Sequence, residues 1–337
     1  MKKTFVIAEL SANHGHNIDI ALESVVAAKE AGADAIKLQT YTADTLTLDC
    51  NKPEFMADPN GLWSGYSGYQ LYQEAYLPWE WHEAIFEKAK EVGLLCFSTP
   101  FDKTAVDFLE SLGNPIYKIA SPEITDIPLI KYVAALKKPI IISTGIAMLE
   151  DIELALDTCR EEGCEDITLL KCTSAYPAPI QEANLLTLLD MKKRFGVKVG
   201  ISDHTIGADV PVAAVALGAS VIEKHFIIDR AIGGPDSTFS MTAKEFAAMV
   251  KSIRNVEDSL GEISYPIDAS KIKGRQFCRS LYVAEDMKAG DIITEKNVRS
   301  VRPGYGLPPK YLPEILGKRV NRDLEKGDRM KLEFVME

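Results

Sequence analysis

Eight short runs rich in β-branched and other apolar residues recur along the first 226 positions of this 337-residue chain, and they limit what it can fold into. They are TFVIAEL (4–10), DAIKLQT (34–40), LLCFSTP (94–100), PIYKIAS (115–121), PIIISTG (139–145), DITLLKC (166–172), VKVGISD (197–203) and SVIEKHF (220–226). Between them lie segments with apolar residues at helical spacing, among them IDIALESVVAAKEAG and MLEDIELALDTCREEG. Strands this apolar are buried on both faces, which calls for a parallel sheet clothed in helices. Eight successive strand–helix units predict an α/β fold, a (β/α)8 TIM barrel. A doubly wound open sheet is the rival, but the turn after the first run, SANHGHN, lacks the GxGxxG phosphate turn such sheets carry.

The barrel is expected over 1–262, a polar linker over 263–277 and a small domain over 278–337. Turn signals in AEDMKAGD and LEKGD make the small domain β-rich. About 60 residues build a meagre core, so this domain is expected to dock on another surface. The stretch 41–78 is too long for a simple connection and predicts a lid or binding loop at the active face. It begins a zone holding Trp63, Tyr66, Tyr69, Tyr72, Tyr76, Trp79 and Trp81, and the helical spacing of Tyr69, Tyr72 and Tyr76 suggests core packing.

Lys and Arg number 38 against 49 Asp and Glu, a net charge of −11, which argues against nucleic-acid or anionic-membrane partners. Any anion must therefore bind in a local pocket whose charge opposes that of the whole. No apolar run approaches bilayer length, and the start MKKTFVIAEL is interrupted by Glu9, so a cytoplasmic chain without a signal peptide is expected. Six cysteines without CxxC spacing are expected as reduced thiols.

Chemistry in such a barrel sits at the C-terminal ends of the strands. All eight ends here are polar: Glu9; Lys37 and Gln39; Ser98 and Thr99; Lys118, Ser121 and Glu123; Ser143 and Thr144; Ser174 and Tyr176; Asp203 and His204; Glu223, Lys224 and His225. Lys37 and Lys118 lie inside apolar runs, where an ammonium needs an anion. Two readings stand: pairing with Glu9 or Glu123, or a phosphate or carboxylate site completed by Thr99, Ser121 and Ser143. Lys171 and Lys224 neighbour inward positions, so alternation turns them toward the helices. His204 and His225 end adjacent strands, and are either structural or an open site for Mn2+, Mg2+ or Zn2+. A closed zinc site is disfavoured, since HExxH and a cysteine partner are missing. His14 and His16 are open to solvent-facing or ligand roles, and His82 is expected to be structural.

IAELSANHGHN, IKLQTY, FSTPFD, YKIASPEITD, ISTGIA, LLKCTSAYP, GISDHTIG, IEKHFIIDRAIGGPDSTFS and RSLYVAEDMKAGDIIT…VRPGYGL occur in that order over nearly the whole chain. Together they resemble the sialic acid synthase family. The resemblance implies a TIM barrel joined to a small C-terminal domain similar to type III antifreeze proteins (an SAF domain). It also implies condensation of phosphoenolpyruvate with an N-acetylated aldose to give a nine-carbon α-keto acid and phosphate. Within the family, LWSGYSGYQLYQEAYLPWEWH, KIASPEITDIPLI and LLKCTSAYPAPIQEANL resemble the subgroup that makes pseudaminic acid from 2,4-diacetamido-2,4,6-trideoxy-L-altrose. N-acetylneuraminate and legionaminate synthases, which use mannose-type sugars, are the alternatives.

Carried over by motif, the resemblance makes Lys37, Thr99, Lys118, Ser121, Ser143 and Ser174 phosphoenolpyruvate contacts, with Ser174 standing where neuraminate synthases commonly have asparagine. His204 and His225 match ligands of Mn2+ or Mg2+, and Glu123 a carboxylate that activates water. Glu9, Gln39, Tyr176 and Asp236 match sugar-side residues. Arg302 matches an arginine delivered to the other subunit's site in a domain-swapped homodimer. A Schiff-base aldolase using Lys171 is the mechanistic rival, and an ice-binding role for 278–337 is disfavoured by its dense charge.

Overall fold

The computed structural model describes residues 3–265 and 268–336, apart from the side chains of 269 and 270, as two compact units divided after Gly261. In the first unit eight parallel strands form: β1 Phe5–Glu9, β2 Ala35–Thr40, β3 Leu95–Pro100, β4 Tyr117–Ile119, β5 Ile140–Ser143, β6 Ile167–Cys172, β7 Lys198–Asp203 and β8 Val221–Ile227. They pair in sequence order, and β1 also pairs with β8, placing Glu9 beside both Lys37 and His225, so the sheet closes. This is the expected barrel. A two-residue strand, β9 Met241–Thr242, adds to β8 and was not foreseen.

Alternation within each strand divides the interior of the barrel from its outer layer. Ile7, Ala35, Phe97, Ile141, Leu170 and Val221 form an apolar cluster apart from the main core, with Phe5 and Ile116 packed against it. Two residues further along these strands, on the same face, stand Glu9, Lys37, Thr99, Ser143, Cys172 and Glu223, with Lys118 two beyond Ile116. The interior therefore turns from a packed floor to a polar mouth within one inward step of every strand. Gly200 belongs to the floor for a steric reason: a Cβ there would stand 2.2 Å from the carbonyl oxygen of Val221 and 2.9 Å from Leu170 Cδ2. Outside the strands the helices bury the main core, including Val25, Ile85, Leu109, Val133, Leu156 and Phe246.

The insertion after β2 folds into the helix Gly68–Ala75, capped reciprocally by Ser67 and Gln70, with a bridge between Met56 and Ser67. None of that helix is fully buried, contrary to the core packing expected of its tyrosines. Tyr72 meets Tyr41 edge-on, Tyr76 meets His16, and Tyr69 donates to Asp44.

The second unit holds an antiparallel pair, β10 Ser280–Val283 with β11 Val298–Val301, over a core of Leu281, Val283, Met287, Ile293, Val298, Ile315, Val320, Leu324 and Met330. Much of the remainder is turn and isolated bridge, so its β character lies mainly in this short ladder. The stretch expected as a plain linker carries helical turns at Ala269–Ile272 and Lys273–Phe277, and Pro266 and Ile267 lie outside the described residues. Among the described residues no helix is long and apolar enough to cross a membrane.

Candidate active site

The polar mouth is a network of buried charges of both signs. Lys37 Nζ lies 2.6 Å from Glu9 Oε2 and 3.8 Å from Glu223 Oε1, and donates to Thr99 Oγ1 at 3.1 Å. Lys118 Nζ lies 4.0 Å from Glu223 Oε1 and donates to the Ile119 carbonyl at 3.0 Å. Burial works against the charge on Lys37, but Glu223 and Glu9 outweigh it and hold its pKa above the usual lysine value. For Lys118 burial dominates, aided by repulsion from Lys37 and opposed by Glu223, and its pKa is lowered. Burial raises Glu9 to about 7 despite Lys37, whereas Glu223 stays below the ordinary glutamate value because Lys118 and Lys37 overcome its desolvation. Of the two readings of the strand lysines, the structure displays the pairing with carboxylates. Lys37 pairs with Glu9 as foreseen. Glu123 acts electrostatically on Lys118, whose recorded ion-pair partner is instead Glu223.

Beside the lysines lies a cradle of small polar groups. A Cβ on Gly145 would sit 2.2 Å from Ser174 Oγ, 2.9 Å from Ser121 Oγ and 3.1 Å from Cys172 Sγ, so glycine leaves these groups their space. Ser121 Oγ accepts from the Ile146 N–H, while the buried Ser143 Oγ has no hydrogen-bond partner among the described residues. One carboxylate oxygen of Glu123 is likewise buried and unpartnered. Burial, offset in part by Lys118, pushes Glu123 up to about 7, which suits a general base near neutrality.

Across β7 and β8 the imidazoles of His204 and His225 stand 5.2 Å apart between ring centroids. His204 Nδ1 donates to the Thr173 carbonyl at 3.0 Å, which leaves Nε2 a lone pair. His225 Nδ1 is buried without a hydrogen bond, 3.7 Å from Asp236 Oδ2. Burial, followed by its like-charged neighbours, lowers His225 well below the usual histidine value, and burial lowers His204 too, so both rings are neutral. Two neutral rings, one holding an orphaned buried nitrogen, fit a divalent cation. Among the described residues no group of three or more His, Cys, Asp and Glu is arranged to hold a metal.

The sugar-side candidates join this mouth. Gln39 donates to Glu9 Oε1 at 2.9 Å and to Ser11 Oγ at 3.1 Å, and Ser11 donates to Asp236. Tyr176 lies over His204 with centroids 4.5 Å apart, and Phe239 packs against Tyr176 and His225. Lys171 alternates away from the interior and donates to the Cys172 carbonyl and Thr173 Oγ1, so it is not aimed at a substrate in the barrel. Lys224, fully buried, bridges Asp203 and the Thr205 carbonyl. His14 is buried rather than solvent-facing, and His16 reaches the Glu74 carbonyl at 2.7 Å. His82, buried between Thr40 and Pro78, is structural as expected.

Residues 24–265 match the NeuB family, and residues 279–328 match the SAF domain. The chain belongs to the NeuB family. It is 49% identical over 330 residues to the pseudaminic acid synthase of Campylobacter jejuni subsp. jejuni serotype O:23/36 (strain 81-176), covering 98% of this chain and 96% of that protein. With the pseudaminic acid synthase of Helicobacter pylori (strain ATCC 700392 / 26695) the identity is 46%, covering 95% and 94%. Among solved structures, the N-acetylneuraminic acid (sialic acid) synthetase from Leptospira borgpetersenii serovar Hardjo-bovis, in complex with citrate, aligns with a TM-score of 0.72 at 30% identity, covering 81% of this chain and 90% of that one.

Glu223, Ser11, Cys172, Gly145 and Phe239 stand in this NeuB-family mouth, and sequence reasoning gave them no role. Glu223 was within reach of it, because it lies two residues before His225 on one strand and must share its face. Ser11, 225 residues from its partner Asp236, left no local signal. Arg302 follows β11 on the second unit and is exposed.

Proposed function

We propose that the chain condenses phosphoenolpyruvate with open-chain 2,4-diacetamido-2,4,6-trideoxy-L-altrose and water, giving pseudaminic acid and phosphate. The observation that carries this reading is the convergence, in one barrel mouth, of two buried lysines and a serine cradle with a pair of neutral imidazoles. The choice of sugar is supported by the 46–49% identity to pseudaminic acid synthases over nearly the whole chain.

Lys37 and Lys118 hold the phosphate and carboxylate of phosphoenolpyruvate, with Thr99, Ser121, Ser143 and Ser174 as hydroxyl partners. Glu9, Gln39, Tyr176 and Asp236 orient the sugar so that its aldehyde carbon faces C3 of the enol. As the C–C bond forms, positive charge develops at C2. Glu123 takes a proton from the water that adds there, and the C2–O bond breaks to release phosphate. His204 and His225 would hold Mn2+ or Mg2+, a Lewis acid toward the aldehyde oxygen. Lysines that grip the anion in ground and transition states alike govern affinity, and Glu123 governs turnover.

The barrel over 1–262 is the catalytic domain in this reading, and 278–337 caps a site from the partner subunit of a homodimer, contributing Arg302. Exposed Ile146, Met148, Leu186 and Ile206, on loops after β5, β6 and β7, offer apolar surface for such docking. Mixed subunits carrying Arg302→Ala and His225→Ala should regain activity that neither homodimer has; failure would assign each small domain to its own barrel. Six free thiols and the use of phosphoenolpyruvate favour a cytoplasmic setting.

Phosphate release from phosphoenolpyruvate, assayed with the altrose derivative, N-acetylmannosamine and the legionaminate precursor, tests the reading. Release fastest with either mannose-type sugar would move the chain to a neuraminate or legionaminate synthase. Trapping of a pyruvate adduct by borohydride would revive the aldolase.

A further inference from the structure

The insertion between β2 and β3 reaches the mouth through Trp63. Its loop is closed by the Ala57 N–H donating to the Tyr66 carbonyl at 3.0 Å, next to the bridge of Met56 with Ser67. From that loop the Trp63 indole N–H donates to the Pro235 carbonyl at 3.1 Å, fixing the residue next to Asp236. Its ring also packs on Tyr176, with centroids 5.6 Å apart. Trp63 therefore ties together the loops after β6 and β8, which carry the two sugar-side candidates Tyr176 and Asp236.

The rings of Trp63, Tyr176 and Phe239 form a continuous aromatic stretch beside His204 and His225. The remaining sugar-side groups, Glu9, Gln39, Ser11 and Asp236, are hydrogen-bonding and already linked to one another. A sugar hydroxyl placed among those groups finds partners. Placed against the ring faces of Trp63 and Phe239, away from the Tyr176 hydroxyl, it loses water and gains little, whereas a methyl group gains burial.

We propose that Trp63 is a specificity-determining residue, and that the aromatic stretch it completes receives the deoxygenated C6 end of the sugar. This rests on the reading of the substrate above and adds where its methyl group is recognised. An apolar wall of this kind rejects an added hydroxyl by no more than about 100-fold, which bounds the selectivity it can supply.

The test compares 2,4-diacetamido-2,4,6-trideoxy-L-altrose with the same sugar bearing a hydroxyl at C6, measuring phosphate release by the full-length wild type, Trp63→Ala and Trp63→Phe. For Trp63→Ala the ratio of kcat/KM between the two sugars should shrink roughly ten-fold toward unity, with the KM for phosphoenolpyruvate within about two-fold of wild type. Trp63→Phe, which keeps a ring but loses the bond to Pro235, should retain more of the ratio than Trp63→Ala. An unchanged ratio in both variants would overturn the proposal, as would a loss that falls equally on phosphoenolpyruvate and sugar and so reports collapse of the loops. A wild type inactive with the altrose derivative would overturn the proposed function instead, and the two failures are distinct.

Discussion

Glu9 Oε2 and Lys37 Nζ meet at 2.6 Å inside the barrel mouth, on neighbouring strands. An anion seated on Lys37 must compete with that carboxylate. Because burial holds Glu9 at about 7, lowering the pH through neutrality protonates it and frees the ammonium. Binding of phosphoenolpyruvate, measured calorimetrically, should therefore tighten as pH falls from 8 to 6. Glu9→Gln should remove that part of the dependence while raising the sugar KM by about ten-fold. An identical pH response in the variant would place the competing group elsewhere.

Gly145→Ala fills the cradle without demanding an unusual backbone angle. Its Cβ would stand 2.2 Å from Ser174 Oγ, so the serine must leave. The KM for phosphoenolpyruvate should rise about ten-fold or more, with a melting temperature within a few degrees of wild type. A variant with normal affinity would show that the anion seats away from Ser121 and Ser174.

Glu123 offers a pH test of turnover. A base works when deprotonated, and burial pushes this carboxylate up to about 7, so kcat should climb through neutrality and level off above it. Glu123→Gln should lose that limb and fall by about 100- to 10,000-fold. Retention of the same limb would assign it to another group.

His225→Ala removes one of the two imidazoles 5.2 Å apart. Titration with Mn2+ followed by electron paramagnetic resonance should show affinity falling at least about ten-fold, with the circular dichroism of the fold unchanged. Unaltered Mn2+ binding would remove the pair from consideration as ligands. Chelation by EDTA should silence the wild type, and activity should return on adding Mn2+ or Mg2+.

His14 and His82 make acid stability legible. Burial lowers both from 6.5 to about 4, so the unfolded chain binds protons that the folded one refuses. The stabilisation is fully present above pH 6.5 and is lost as pH falls toward 4, by up to about 3 kcal/mol for each histidine. Urea midpoints measured from pH 7 to pH 4 should fall accordingly, and less steeply in His82→Gln. A midpoint flat over that range would show that neither ring is buried in neutral form.

The barrel was legible because β-branched runs recur eight times at regular distance, and each produced a strand within a few residues of its expected bounds. The mouth was legible in part: Lys37 and Lys118 stood out because an ammonium inside an apolar run demands a partner. The missing piece, Glu223, lay between more conspicuous neighbours, and its tie to both lysines depends on barrel closure that brings β8 beside β1. The insertion was recognisable by length and aromatic content, yet its helix packs half-exposed, because rings that lean on Tyr41 and His16 leave one face to solvent. Trp63 reaches its partners only through a loop conformation for which local sequence has no code.

The eight strands carry two kinds of cargo on one inner surface, hydrocarbon below and charge above, separated by a single pleat. Selection can thus act on the two halves almost independently. Replacements among Ile7, Phe97 and Leu170 should register as loss of melting temperature, while under the proposed function replacements one pleat higher should register as loss of turnover. New acceptor sugars can arise by redrawing the rim, with the floor that holds the barrel closed left as it is.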